Sequence, residues 1–443
     1  NFNNKEIIVQ GINIKDFSKR TEEYKLKIDR KEKSYNFINV VKLNNKFYII
    51  YYHTQSKTST KILAREINLK NATVNDRAIE LIELDDVASY RERFWGFNIT
   101  YNFGVNTEFD LIQDEDKTHF SLIYSTKLNN NSNKQVGGKA ADTYKPNINV
   151  LTFDDKLQLV YNNSFEFPYA LRDVSIYAFT LDNNGNLYYL LKSWKHSNYE
   201  LHKIGKNKNV KIDIDFKKNI PDFSQLKSNS KAFVKEGNLI SIIGYYYLKN
   251  SKMVAGYYML DINNHEDDLP YKVKTYPFDK SVITKNLTTK VLKKLETKSG
   301  NHFDNLAIKK IIYRGNNHYT VFSEIELIDY HKSTTSATFN STRYYSEDLL
   351  MTEIENEDIT LFKKIAKSQI SINEYANYMS FSQARTDKGQ YIFYYDNENN
   401  LNLEDDKQPS TVSSAKSNAL FCVFIDRNGK STQKIVDMPK GYH

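Results

Sequence analysis

Residues 181–194, Leu-Asp-Asn-Asn-Gly-Asn-Leu-Tyr-Tyr-Leu-Leu-Lys-Ser-Trp, set a polar turn, Asp182 to Asn186, against a run of apolar and aromatic residues. A second β-rich run, Val174-Ser-Ile-Tyr-Ala-Phe-Thr, leads into the turn. Two such runs about an Asx and Gly turn predict a β-hairpin, with Gly185 supplying the positive φ. An Asp-Asn-Asn-Gly-Asn loop also suggests oxygen ligands for Ca²⁺, but the further acidic positions and distal Glu of a calcium loop are missing. The turn reading is preferred.

The same unit recurs along the chain. Tyr35–Leu43, a turn at Asn44-Asn45, and Lys46–His53 form the first hairpin, followed by strands near 61–67 and 79–84. The second copy has Trp95–Tyr101, Thr118–Tyr124, Asn147–Phe153, a turn at Asp154-Asp155, and Lys156–Tyr161. A polar insertion rich in Asn, Lys and Gly, 128–145, interrupts it. The third copy holds the opening stretch, with Tyr199–Ile204 and Val210–Phe216. The fourth has Lys231–Val234, Asn238–Tyr247, Met253–Asp261 and a strand over 272–278. The fifth has Ala307–Tyr313, His318–Leu327, Leu350–Ile354 and Ile359–Ile365; the sixth has Tyr378–Ala384, Gln390–Asp396, Ala419–Ile425 and a strand near 433–437. First turns near 44, 116, 184, 237, 315 and 388 are 72, 68, 53, 78 and 73 residues apart. Six four-stranded units at this spacing predict an all-β, six-bladed β-propeller, because radial packing buries faces that one unit cannot bury alone. The expected blades lie near 35–90, 91–165, 170–220, 228–279, 305–368 and 376–440, as one domain over 35–443. Residues 1–34 are a terminal extension, or a closing strand for the last blade; Gln433–Asp437 is the other way to complete that blade. Residues 280–297 carry Val282, Ile283, Leu287, Val291, Leu292 and Leu295 at helical spacing and predict one inserted amphipathic helix.

Composition agrees with β structure. There are 33 Tyr and 25 Phe in 443 residues, and aromatic residues suit half-buried pleated surfaces. The net charge of +8, from 62 Lys and Arg against 54 Asp and Glu, is modest, dispersed and mostly Lys, which argues against nucleic acid binding. Cys422 stands alone in an apolar run, so no intramolecular disulfide and no Cys-based metal site are expected. No run of 18 apolar residues suggests a membrane span. The start at Asn1 fits export after loss of a signal peptide.

Val174–Trp194, Asn238–Tyr247, Thr342–Gln369 and Tyr378–Asn400 resemble a family of six-bladed propeller-like proteins exported by Bacteroidota. The shared features are the Asp-Asn-x-Gly-Asn-x-Tyr hairpin, a Tyr-Tyr…Asp-Leu-Leu strand, the Lys364-Ile-Ala-Lys-Ser-Gln369 exit, and Tyr391-Ile-Phe-Tyr-Tyr-Asp-Asn-Glu-Asn-Asn-Leu401. The resemblance covers roughly 150–440 and is carried by strand and turn residues. It implies a periplasmic or cell-surface location, and a role such as an accessory or plug of the type IX secretion translocon.

Candidate chemistry is sparse. The paired carboxylates Asp85-Asp86, Asp154-Asp155, Asp267-Asp268 and Asp405-Asp406 sit in turns, where adjacent side chains diverge rather than face each other across a pocket. The nine His residues show no metal-ligand spacing. No Gly-x-Ser-x-Gly elbow and no phosphate-cradling Gly loop occurs. No catalytic residue, cofactor or metal site is expected. The Tyr pairs at 51–52, 188–189, 245–247, 257–258 and 394–395 read as core, one ring to each face of a blade. The candidate contact residues are Trp194 and Trp95, each at a strand end, and Tyr246. The expectation is a non-enzymatic protein-interaction module of a bacterial envelope. A glycan-binding or glycan-cleaving exported propeller is the alternative.

Overall fold

The computed structural model describes residues 10–12, 19–21 and 35–436, except 57–58, 69–72, 88–108, 115–116, 127–146, 167, 170–172, 206–207, 229, 250–253, 266–267, 279–305, 333–339, 373–378, 404–406, 408 and 413–417. Among the described residues, six antiparallel sheets of four or five strands follow one another along the chain after a two-stranded one. Sheet I comprises β3 (Tyr35–Leu43), β4 (Lys46–Thr54), β5 (Ser59–Asn68) and β6 (Thr73–Val74), with β7 (Ile79–Asp85) also paired to β5. Sheet II is β8 (Asp110–Gln113), β9 (His119–Ser125), β10 (Asn147–Asp154) and β11 (Leu159–Glu166). Sheet III is β12 (Val174–Leu181), β13 (Leu187–Ser193), β14 (Asn198–Ile204) and β15 (Asn209–Ile214). After a single helical turn, α1 (Phe216–Asn219), sheet IV has β16 (Phe223–Leu226), β18 (Ile240–Leu248), β19 (Gly256–Ile262) and β20 (Tyr271–Pro277), with β17 (Lys231–Val234) also on β18. Sheet V is β21 (Leu306–Tyr313), β22 (Tyr319–Lys332), β23 (Asn340–Glu355) and β24 (Asp358–Ile365), with β25 (Gln369–Ile372) beside β23. Sheet VI is β26 (Ser382–Thr386), β27 (Gly389–Asn397), β28 (Asn418–Asp426) and β29 (Ser431–Val436).

Every sheet runs as a meander, so first and third turns fall at one end and second turns at the other. The first end is made of tight turns. Asp154, Asp182 and Asp426 build the same one: the Asp N–H donates to the carbonyl four residues on, and Oδ1 accepts backbone N–H groups two and four residues ahead at 2.8–2.9 Å. The carboxylate replaces a turn's missing backbone partner. The residue three places on must take positive φ: Gly185 (78°), Gly429 (79°) and, without glycine's freedom, Leu157 (63°). At Gly185 space is short as well, because a Cβ there would lie 2.8 Å from Thr152 Cγ2. The opposite end carries the second turns, among them residues 194–197 between β13 and β14.

The chain divides into two compact units: residues 1–216, 232–242 and 261–272, and residues 217–231, 243–260 and 273–443. In the first unit the tight turns of successive sheets are bonded together. Asn44 Nδ2 donates to Asp155 Oδ2 at 2.6 Å, Tyr161 donates its hydroxyl to the Gly185 carbonyl, and Asn264 Nδ2 donates to Asp182 Oδ2 at 3.3 Å. Apolar clusters fill the spaces between sheets, one around Tyr52, Phe109, Phe120 and Phe153, another around Ile123, Val150, Leu187 and Tyr189. In the second unit Phe322, Met351, Tyr394 and Phe421 form the corresponding cluster.

Three of the aromatic pairs are core on both faces, Tyr51 with Tyr52, Tyr188 with Tyr189 and Tyr257 with Tyr258, whereas Tyr247 and Tyr395 are half-buried beside the buried Tyr245, Tyr246 and Tyr394. Some boundaries differ from the sequence reading. The strand paired to β9 is Asp110–Gln113, whereas Trp95–Tyr101 lies outside the described residues. The helix expected over 280–297 also lies outside them. Gln10–Ile12 pairs with Lys19–Thr21 in a two-stranded sheet of its own (β1 and β2), and sheet VI takes its fourth strand from Ser431–Val436. No helix among the described residues is long and apolar enough to cross a membrane.

Candidate functional site

Trp194 follows β13 at the end of sheet III opposite the tight turns. Its backbone N–H donates to the Asp173 carbonyl at 2.7 Å, and its indole Nε1–H donates to Ser175 Oγ at 3.0 Å. Lys192 Nζ sits 4.3 Å from the indole centroid and 5.4 Å from that of Tyr199. A large ring that is 48% exposed is therefore held by two hydrogen bonds and a cation–π contact. Lys195 and His196 are exposed beside it in the turn to β14.

The same end of the sheet buries a carboxylate. Glu200, on β14, accepts from the Tyr169 hydroxyl at 2.5 Å, Lys211 Nζ at 3.0 Å, His202 Nε2 at 3.0 Å and Asn198 Nδ2 at 3.3 Å. Burial pushes its carboxyl up, but these donors outweigh burial and hold it below the usual range. Burial keeps the His202 imidazole below its ordinary value, so it is neutral and donates from Nε2. It stacks on Tyr189 at 4.7 Å. Tyr169 arrives from the connection between sheets II and III, so the network fastens that connection to sheet III. With its acceptor sites occupied by four donors, Glu200 serves better as an anchor than as a proton carrier.

Of the other expected contact residues, Trp95 lies outside the described residues. Tyr246 is buried, 4% exposed, because successive residues of β18 face two packed sides; it offers no surface. Cys422 is buried, and burial pushes its thiol up to about 11, so it is an inert core residue. Among the described residues no group of three or more His, Cys, Asp or Glu side chains is arranged to hold a metal ion.

A second polar site, in the second unit, was not anticipated. Glu324 on β22 and Lys367, after β24, are both fully buried and pair at 2.6 Å. Lys367 Nζ also donates to Ser346 Oγ at 2.6 Å and to Gln369 Oε1 at 3.0 Å, while Ser380 Oγ donates to Glu324 Oε2 at 2.9 Å. Lys309 lies 2.6 Å from Glu326 and 3.7 Å from Glu324. Burial pushes the Glu324 carboxyl up, but Lys367 and Lys309 outweigh it and hold the carboxyl ionised. The backbone aims these groups. Register shifts between Ile308 and Lys310 and between Glu324 and Glu326 mark β-bulges at Lys309 and Ile325, while Glu324 lies in a stretch of β22, Tyr319 to Ile325, that is buried on both faces. The equivalent bulge residues in sheets I and III are apolar and buried, Ile38 and Tyr177. The Lys364-Ile-Ala-Lys-Ser-Gln369 stretch was the available signal, since it places two lysines in a short strand exit.

No family model matches the chain, and no curated protein matches it. Similar solved structures include a protein of unknown function from Bacteroides caccae (9% identity, TM-score 0.33, covering 80% of this chain and 88% of that one). The β-propeller domain of the Trilobed protease from Pyrococcus furiosus is similar at 8% identity and a TM-score of 0.29, covering 93% of this chain and all of that one. The polysaccharide lyase Uly1 is similar at 8% identity and a TM-score of 0.35, covering 95% and 97%.

Proposed function

We propose that the chain is one six-bladed β-propeller over residues 35–443 that acts as a non-enzymatic protein-binding module of a bacterial envelope. Its partner docks on the end of sheet III that presents Trp194. The observation that carries this reading is the 48% exposed indole held rigid by Ser175, Lys192 and the backbone. Rigid, amphipathic Trp side chains are what binding hot spots favour, since little rotamer entropy is lost on docking. Six consecutive four- or five-stranded meanders support the blade count. The periplasmic or cell-surface location, and a role as a plug or accessory of the type IX translocon, are supported by the resemblance over residues 150–440.

Capture from native envelope extract tests it. The wild-type chain retains a specific protein, and Trp194→Ala, which removes an exposed ring, folds normally but binds about 30-fold more weakly, the scale of a hot-spot residue. Recovery of the wild-type chain alone, or equal capture by both, contradicts the proposal. Glycan-array binding lost in Trp194→Ala favours the glycan reading instead.

A further inference from the structure

Gln390, the second residue of β27, is 2% exposed, yet neither its Nε2 nor its Oε1 has a hydrogen-bond partner among the described residues. Gln383 Oε1 on β26 and Arg314 Nε, just past β21, are buried and equally without partners among them. The register gathers these atoms. Gln383 lies opposite Ile392 and Arg385 opposite Gln390, so Gln383, Gln390 and Ile392 share one face of sheet VI. That face sets Ile392 and Tyr394 with Phe322 and Met351 of sheet V in one apolar cluster, and Ile312 packs against it. Arg314 stands two residues beyond Ile312, and its N–H continues the pairing to the His318 carbonyl at 2.8 Å. Both polar sets therefore extend the packed faces of sheets V and VI past the apolar cluster, toward the tight-turn end. Glu353 holds Arg314 there: it accepts Arg314 Nη2 at 2.8 Å, His318 Nε2 at 2.9 Å and Thr320 Oγ1 at 3.0 Å. The guanidinium is thus fixed and its charge met. A buried amide without partners costs the fold stability. The second residues of the corresponding strands in sheets II and III are buried rings, Phe120 and Tyr188. Packing alone does not ask for a glutamine at this position.

We propose that Gln390, Gln383 and Arg314 form a binding site for a primary carboxamide, as carried by a Gln or Asn side chain or a free amide. The unpartnered atoms are two acceptors, Gln390 Oε1 and Gln383 Oε1, and two donors, Gln390 Nε2 and Arg314 Nε. A primary carboxamide has two N–H donors and one carbonyl with two lone pairs. It pairs with the Gln390 amide through reciprocal hydrogen bonds. Its other N–H then donates to Gln383 Oε1, and its other lone pair accepts from Arg314 Nε. A carboxylate has no proton for either glutamine oxygen, and an ammonium has no lone pair for either donor. A secondary amide is one N–H short. The site lies within the second unit, and it stands independently of the role given to Trp194.

Glutamine labelled with ¹⁵N at Nε2, followed by NMR, tests the site with propionamide as the probe. The side-chain resonances absent from Gln390→Leu belong to Gln390. They move saturably with propionamide, respond to N-methylpropionamide about tenfold more weakly, the loss of one hydrogen bond, and do not move with propionate. Propionamide raises the melting temperature of the wild type but not of Gln390→Leu, and Gln390→Leu without the probe melts no lower than wild type. Free glutamine and a peptide with an internal Gln separate the two sources of the carboxamide, since the natural one displaces propionamide at the lower concentration. The proposal is overturned by the absence of saturable movement with propionamide, or by equal movement with propionate. Exchange of the Gln390 amide with water alone, unmoved by propionamide, makes the occupant a buried water and also overturns it. So does a Gln390→Leu chain that melts below wild type, which makes the glutamine structural.

Discussion

Asp396 shows how one buried side chain writes itself into the pH dependence of the fold. It is the next-to-last residue of β27 and fully buried, accepting from Asn397 N and Asn400 Nδ2, both at 2.8 Å, while its Oδ2 has no partner among the described residues. Burial pushes its carboxyl from 3.8 to about 6. A raised carboxyl contributes stability that is complete below the unfolded value and lost as pH rises through the folded one, so Asp396 is a cost at neutral pH. Two units at 1.36 kcal/mol each set an upper bound of about 3 kcal/mol. Asp396→Asn is therefore expected to be more stable than wild type by about 2 kcal/mol at pH 7.5, after allowing for the unpaired amide N–H, and no more stable at pH 4. Urea melts at the two pH values check this; an equal difference at both contradicts the assignment. Gly185 is the complementary residue, fixed by φ of 78° and by Thr152 against its Cα. The turn chemistry there was legible from Asp182 to Asn186, because a short sequence of local hydrogen bonds determines it. The crowding by Thr152 and Tyr161 was not, since it comes from another sheet.

At the scale of elements, hairpins and the repeat were readable because they are local. Alternation and tight turns fix β3 with β4, β12 with β13 and β26 with β27. The buried ion pair of sheet V was not readable. Glu324 and Glu326 look like the solvent face of an alternating strand, but β22 is buried on both faces from Tyr319 to Ile325, which alternation does not show. Tyr246 failed for the same reason: in a strand buried on both faces, alternation does not separate surface from core. The pair makes a sharp prediction. Glu324→Gln or Lys367→Met leaves an uncompensated buried charge and costs about 3–5 kcal/mol, whereas the double substitution recovers most of that loss. Denaturant midpoints across the four proteins measure the coupling. Additive losses contradict a direct buried pair.

For the whole molecule, polarity matters most. In each sheet the first and third turns are short, and Asp154, Asp182 and Asp426 close three of them with the same hydrogen bonds. Trp194 belongs to the second turn of sheet III. Regular turns suit a scaffold, and variable connections suit recognition. The most direct test of this account places a photo-crosslinking amino acid at Trp194 or at Asn184 and irradiates the protein in native envelope. The account predicts a discrete protein adduct from position 194 and none from position 184. An adduct from position 184 alone, equal adducts from both, or none from either would contradict it.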